Sequence, residues 1–446
     1  MKQRYFFIFI LLLVLSGCSP NPQPSPSKAV KGTLNLSGWN FEKEGTVPLK
    51  GEWAFYWKKL YTPGDFKKTT PKPVWVQVPK VWNDYQIDGH SLPGTGYATY
   101  RLHVLVNHPD KTLAVKIPYA STAYKMWING KEVASNGVVG TSKATSKPQY
   151  LNQVATFKGN ADIVIQVSNF QHRRGGIFQP LTIGTTEEIV RAMNIHVGRQ
   201  LLIFGSLLII GLYYIVLYGF RRRSIYYLIF GLLCICMAIH NQCEGEVPIT
   251  QFFPHFNWEA LLKLEYMTAD IGKILLFPLF FYFLYPNLLH KKVIWAISAL
   301  SALFFLTALS TPASFFTNYY LFGNMADMLT MLYLWWMLVK AVLEKREHAR
   351  IILFGFTIFM LTVFNDILYD MRMIHTGYYL EWGLDFFILG LGLVLALNFS
   401  KSFVLTEKLS FQLTELNQSL EKKVKSRTKK MEESNRNLRE TNEQLK

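Results

Sequence analysis

Seven residues pair flat apolar surfaces with hydrogen-bonding groups: Trp82, Asn83, Asp84, Tyr97, His172, Arg173 and Arg174. Aromatic faces stack on sugar rings, and a guanidinium binds carboxylate or phosphate bidentately. They fall at expected strand ends and in Gly-rich turns, where contacts to small ligands gather. They are therefore candidate contacts for a small polar ligand such as a carbohydrate, although Trp82, like Tyr100, also fits a core position, and Arg173-Arg174 also fit a place near the lipid headgroups. A second set, Asp327, Asp366 and Asp385, lies inside long apolar runs. An ionised group there costs about 2.5–3.5 kcal/mol at a helix centre, so these three are candidates for an intramembrane relay, with an interhelical hydrogen bond as the structural alternative. His240, Asp270, Lys273, Asp370 and Glu381 sit nearer the ends of such runs and are expected to be hydrated. Cys234, Cys236 and Cys243 share one run, with too few neighbouring ligands for a metal, and read as packing residues. No metal or cofactor site is expected, and no P-loop or zincin motif occurs.

The elements that must hold these residues follow from pattern. Of 446 residues, 50% are hydrophobic and 17% charged, against about 25% charged in ordinary soluble domains. This excludes a polar disordered chain. Lys2 and Arg4 precede an apolar run, Tyr5 to Val14, too short to span a bilayer but right for a secretory signal. Leu15-Ser16-Gly17-Cys18 then resembles a bacterial lipobox, with Cys18 as the lipidation site and a Pro-rich tether behind it. From about residue 31 to 190, short alternating segments such as Val74-Val76-Val78 and Tyr100-Leu102-Val104 are broken by Gly, Pro and Asn, the pattern of an all-β sandwich or jelly roll. Asn129-Gly130 is a strong hairpin turn, because both residues tolerate positive φ.

Seven apolar stretches of spanning length follow: Gly198 to Phe220, Ile225 to Gln242, Met267 to Tyr285, Val293 to Leu309, Tyr319 to Val342, Ile351 to Tyr369 and Leu380 to Ser400. Lys and Arg number nine in one set of turns (Arg221, Arg222, Arg223, Lys291, Lys292, Lys340, Lys345, Arg346, Arg350) and one (Arg372) in the other. Positive loops stay cytoplasmic, so the N-terminus is expected outside and the C-terminus in the cytosol of a bacterial cell membrane. The net charge of +17 thereby reads as topology and attraction to membrane lipid, and nucleic acid is not needed to explain it. Beyond residue 403, Val424, Met431, Leu438 and Leu445 recur every seven residues, with Thr428, Asn435 and Asn442 between them. This heptad pattern predicts a parallel coiled coil, hence a homodimer through residues 409–446. Steps of three, four and four from Leu413 to Val424 insert a stutter.

Gly51-Glu52-Trp53-Ala54-Phe55-Tyr56-Trp57, Val78-Pro79-Lys80-Val81-Trp82-Asn83, Gly96-Tyr97-Ala98-Thr99-Tyr100-Arg101, Trp127-Ile128-Asn129-Gly130 and Ser168-Asn169-Phe170-Gln171-His172-Arg173-Arg174-Gly175-Gly176 together resemble the galactose-binding-type jelly roll that serves as the sugar-binding domain of family 2 glycoside hydrolases. Ahead of seven spans, it is similar to the ectodomain of the bacterial seven-transmembrane receptors with diverse intracellular signalling modules. The resemblance covers most of residues 48 to 402. It implies a galactose-binding-like ectodomain (31–190) and a seven-transmembrane domain (196–402), which join the lipoprotein-type signal peptide (1–18), tether (19–30) and coiled coil (403–446) read from the residues. It also implies a receptor for an extracellular ligand; whether the chain is an enzyme is left open, because no catalytic-domain motif is found in this sequence. The tail resembles the connector that, in this family, precedes a histidine kinase or GGDEF-type cyclase, yet neither motif set follows before Lys446. The family's output activity is therefore not transferred; it is expected from another chain, with an unidentified cytoplasmic partner, or from a kinase or cyclase cut short here. A transporter, with Asp327, Asp366 and Asp385 along a pathway, is the remaining alternative.

Overall fold

The computed structural model describes residues 27–107, 110–220, 222, 224–370, 374, 376 and 379–444. The proposed signal, Cys18 and most of the tether lie outside the described residues, as do Arg221, Arg223, Arg372 and Leu445. The chain divides within one helix into two compact units, residues 1–332 and 333–446.

The first unit begins with a two-layer β domain. Its larger, seven-stranded sheet runs Lys131–Asn136, Ala123–Ile128, Ala161–Asn169, Gly96–Val106, Gly51–Trp57 and Val74–Val78, with Thr33–Leu36 pairing parallel to the end of the long Gly96–Val106 strand. The smaller sheet runs Gln153–Lys158, Thr112–Ile117, Thr182–Thr185 and Val47–Pro48. Inward side chains of both sheets, among them Trp53, Phe55, Tyr100, Leu102, Val115, Ile163 and Ile183, form one core. Strand alternation produces that core: Tyr100, Leu102 and Val104 are fully buried while Arg101 and His103 face outward. Asn129 (φ 52°) and Gly130 (φ 85°) form the expected tight turn between two hairpin strands.

Seven helices are long and apolar enough to cross a membrane: α1 Thr186–Phe220, α2 Ile225–Cys243, α3 Trp258–Leu284, α4 Lys291–Ser310, α5 Tyr320–Leu343, α6 Ala349–Asp370 and α7 Leu380–Gln444. The chain is a multi-pass membrane protein. α1 and α2 meet at glycine: a Cβ on Gly211 would lie 2.9 Å from the Gly231 carbonyl oxygen, and one on Gly231 would lie 2.7 Å from that of Gly211. Small residues are what allow helix backbones to pack so closely in lipid.

α3 departs most from the sequence reading. It starts at Trp258, where the Asn257 side chain accepts a hydrogen bond from the Ala260 amide, rather than near Met267. It is α-helical to Ala269, π-helical over Asp270–Leu276 and α-helical again from Phe277. Asp270 and Lys273, expected near the start of the third span and hydrated, therefore stand in its interior.

In the second unit, α6 and α7 pack through Phe356, Phe359 and Phe387, the last two stacked with ring centroids 5.9 Å apart. α7 is continuous for 65 residues, about 98 Å at 1.5 Å per residue. Its C-terminal half leaves Leu413, Leu416, Leu420, Val424, Met431 and Leu438 exposed in the single chain.

Candidate functional site

The structure brings five of the predicted β-domain residues, Trp82, Asn83, His172, Arg173 and Arg174, together around Gly94 and the loop 171–176. Asn169, at the end of its strand, organises them. Its amide nitrogen donates to the carbonyls of Gly94 (2.8 Å), His172 (2.6 Å) and Arg174 (3.0 Å), and its side-chain oxygen accepts from the His172 amide (3.0 Å). Asn83 closes the loop from the other side, donating to the Arg173 carbonyl (2.9 Å) and accepting from the Gly175 amide (3.1 Å). Trp82, expected among ligand contacts, is fully buried, and its indole donates to the Gly94 carbonyl (3.0 Å). A Cβ at Gly175 would lie 2.2 Å from that indole, so only glycine lets the loop cross it. Trp82, Asn83 and Asn169 thus hold the loop. Asp84 and Arg174 are exposed, and Tyr97 and Arg173 are partly exposed, which leaves these four able to touch a ligand. The His172 ring nitrogen Nδ1 lies 3.0 Å from the Arg174 carbonyl. Exclusion of water from the ring pulls its pKa down to about 4, and the charges of Arg173 and Arg174 act in the same direction, so the ring is neutral near pH 7.

The same loop reaches the membrane helices: the Arg173 amide donates to Thr317 Oγ1 (3.3 Å) in the turn between α4 and α5. Two further polar bridges join the β domain to the turn between α2 and α3. Lys116 forms an ion pair with Glu246, which Asn152 also contacts (2.9 Å), and Gln149 donates to the Pro254 carbonyl (3.1 Å). Tyr150 packs edge-on against Trp258 at 5.7 Å, within an apolar cluster shared by the β domain and the membrane helices.

The three intramembrane aspartates have different surroundings. Asp366 is buried and caps α7: its carboxylate accepts from the amides of Tyr379 (2.8 Å) and Leu380 (2.9 Å) and from the Asn365 side chain (3.0 Å). Asp385 is partly buried in α7. Asp327, in the first unit, shares a cavity with His240, Glu244, Glu265, Asp270 and Lys273. Of these, His240, expected to be hydrated, is 7% exposed, with Nδ1 3.1 Å from the Glu265 carbonyl oxygen. Glu244 and Glu265 were not legible as site residues. Their signal was an acidic pair flanking a charged amphipathic segment, which reads equally well as a loop. Cys234, Cys236 and Cys243 are buried packing residues.

Residues 198–398 match the sequence model of the 7TM diverse intracellular signalling family. The membrane helices of this chain are similar to that family over this stretch. No curated protein sequence matches the chain. Solved structures similar to it include a beta-glucuronidase from an uncultured Clostridium species (19% identity, 31% of this chain and 28% of that one, TM-score 0.24). A GH2 beta-galacturonidase from Eisenbergiella tayi (17%, 31% and 24%, TM-score 0.23) and the beta-glucuronidase of Ruminococcus gnavus (15%, 31% and 28%, TM-score 0.24) are similar to the same degree. The chain spans less than a third of the length of each of these enzymes. The 7TM diverse intracellular signalling match covers the membrane helices and points to membrane signalling, and the β domain is seated on the turns that connect those helices.

Proposed function

We propose that this receptor senses a polar, carbohydrate-like ligand with its β domain outside the cell and relays occupancy to a cytoplasmic pairing of α7 with a second copy. The observation that carries the reading is the seating of the β domain on the α2–α3 and α4–α5 turns. Residues 244–262 and 310–318, which include the contacted positions, hold no Lys or Arg, whereas the opposite turns hold the basic excess. Positive loops face the cytosol, so that seating supports an outside β domain. Loop 171–176 carries both the candidate ligand contacts and the bridge to Thr317, so a ligand that repositions Arg173 or Arg174 acts directly on a membrane turn. Inside, the exposed stripe of α7 needs a partner, and Arg427 and Glu432 occupy positions that attract each other between two parallel copies. A ligand moves such a two-state system only by its differential affinity, and a shift from 1:99 to 99:1 needs about 5.5 kcal/mol.

The test uses the full chain with Met431→Cys in bacterial membranes, scoring disulfide-linked dimer while a panel of mono- and oligosaccharides is added outside. A sugar that alters the yield, and no longer does so when Glu246→Gln breaks the bridge to Lys116, supports the relay. A yield that no sugar changes, with no difference between the two backgrounds, contradicts it.

A further inference from the structure

On the side of the first unit that bears the β domain, the membrane helices enclose a cavity of about 80 Å³. Its charged lining comes from three elements and their ends: His240 and Glu244 from α2, Glu265, Asp270 and Lys273 from α3, and Asp327 from α5. Four carboxylates thus face one ammonium. The histidine is already engaged, with Nδ1 3.1 Å from the Glu265 carbonyl and Nε2 3.4 Å from the Glu244 carboxylate. Asp327 Oδ1 is closed off from solvent and, among the described residues, has no hydrogen-bond donor. A buried carboxylate oxygen without a donor is costly, and at membrane depth such groups mark ligand or ion pathways. The π-helical stretch Asp270–Leu276 carries Asp270 and Lys273 to the cavity, a distortion that recurs at functional sites.

The rest of the lining narrows what fits. Tyr266, Phe304, Phe316 and Tyr319 form aromatic walls. Among the described residues no three His, Cys, Asp or Glu side chains converge to hold a metal ion. Dispersed carboxylates and ring faces suit an organic cation, which uses hydrogen bonds and cation–π attraction together. The space equals two or three water molecules at about 30 Å³ each, room for a cationic head of about three heavy atoms. Glu244 and Tyr319, with side chain and residue 49% and 41% exposed, stand at its rim. We propose that this cavity binds a primary ammonium group, of a free small amine or of a lipid headgroup, with Asp327 accepting from its N–H. Lys273 opposes this binding and tunes it. The site is independent of whether the β domain senses a sugar.

The full chain is assembled in phosphatidylglycerol nanodiscs and radiolabelled ethylammonium is titrated by equilibrium dialysis, with ethanol as the uncharged competitor. One saturable site per chain is expected, with no displacement by ethanol. Asp327→Asn should weaken binding at least tenfold, and Lys273→Met should tighten it several-fold because a like charge is removed. A merely disrupted structure would weaken binding in both variants. In phosphatidylethanolamine nanodiscs, loss of free ethylammonium binding identifies the headgroup as occupant, and unchanged binding identifies the free amine. Absence of saturable binding in phosphatidylglycerol, equal affinity in Asp327→Asn, or weakening by Lys273→Met overturns the proposal.

Discussion

Asp366 and Asp327 are both carboxylates in apolar helices, and their surroundings differ completely. Asp366 meets two backbone amides at the start of α7 and the Asn365 amide group, so each of its oxygens has a donor from its own unit. It also sits at the positive end of a helix dipole. Asp327 Oδ1 has no donor among the described residues and faces a cavity where acids outnumber bases. An acid satisfied by backbone is part of the scaffold. An acid surrounded by other side chains and space costs stability and invites a ligand.

Substitutions can break or sharpen that contrast. The largest effect is expected from Asp366→Ala, which removes a charged cap and leaves two amides unpaired; full-chain stability in detergent should fall by about 3 kcal/mol, read as a lower thermal midpoint. Asn169→Ala should cost about 2 kcal/mol by releasing the 171–176 loop, and should also raise proteolysis at Arg173 and Arg174. A pH effect comes next. His172 is held below its ordinary 6.5, at about 4, so between these values the unfolded chain binds more protons than the folded one. Stability must then fall as pH drops through this window, by about 1 kcal/mol from pH 6.5 to 5.5, and His172→Gln should flatten that slope in thermal scans. Asp327→Asn should have the smallest effect, within about 0.5 kcal/mol, because its Oδ1 has no hydrogen-bond donor to lose among the described residues; a loss as large as that of Asp366→Ala would erase the contrast.

What the sequence made legible follows from the range of the interactions involved. The Asn129-Gly130 hairpin depends on two adjacent residues with positive φ, and the seven spans depend on local runs of apolar residues, so both could be read directly. α3 hid its first turns because Trp258-Glu259-Ala260-Leu261-Leu262-Lys263 mixes charge into the helix, although Asn257 ahead of it is an N-cap. Missing that start left Asp270 and Lys273 assigned to a hydrated end, and the cavity they share with Glu265 and His240 could not be seen. Position along the chain groups the β-domain candidates but does not assign their roles. Whether Trp82 stacks on a ligand or supports a loop depends on Gly94 and Gly175, 12 and 93 residues away, and only the fold brings them to its indole.

On the proposed function, the β domain lies outside and α7 ends in the cytosol. Paired fusions after Gln444, one to a reporter active only in the cytosol and one to a reporter active only after export, test it most directly. Signal from the cytosolic reporter alone is the predicted result. Signal from the exported reporter alone would place α7 on the same face as the β domain and leave no route for a message across the membrane.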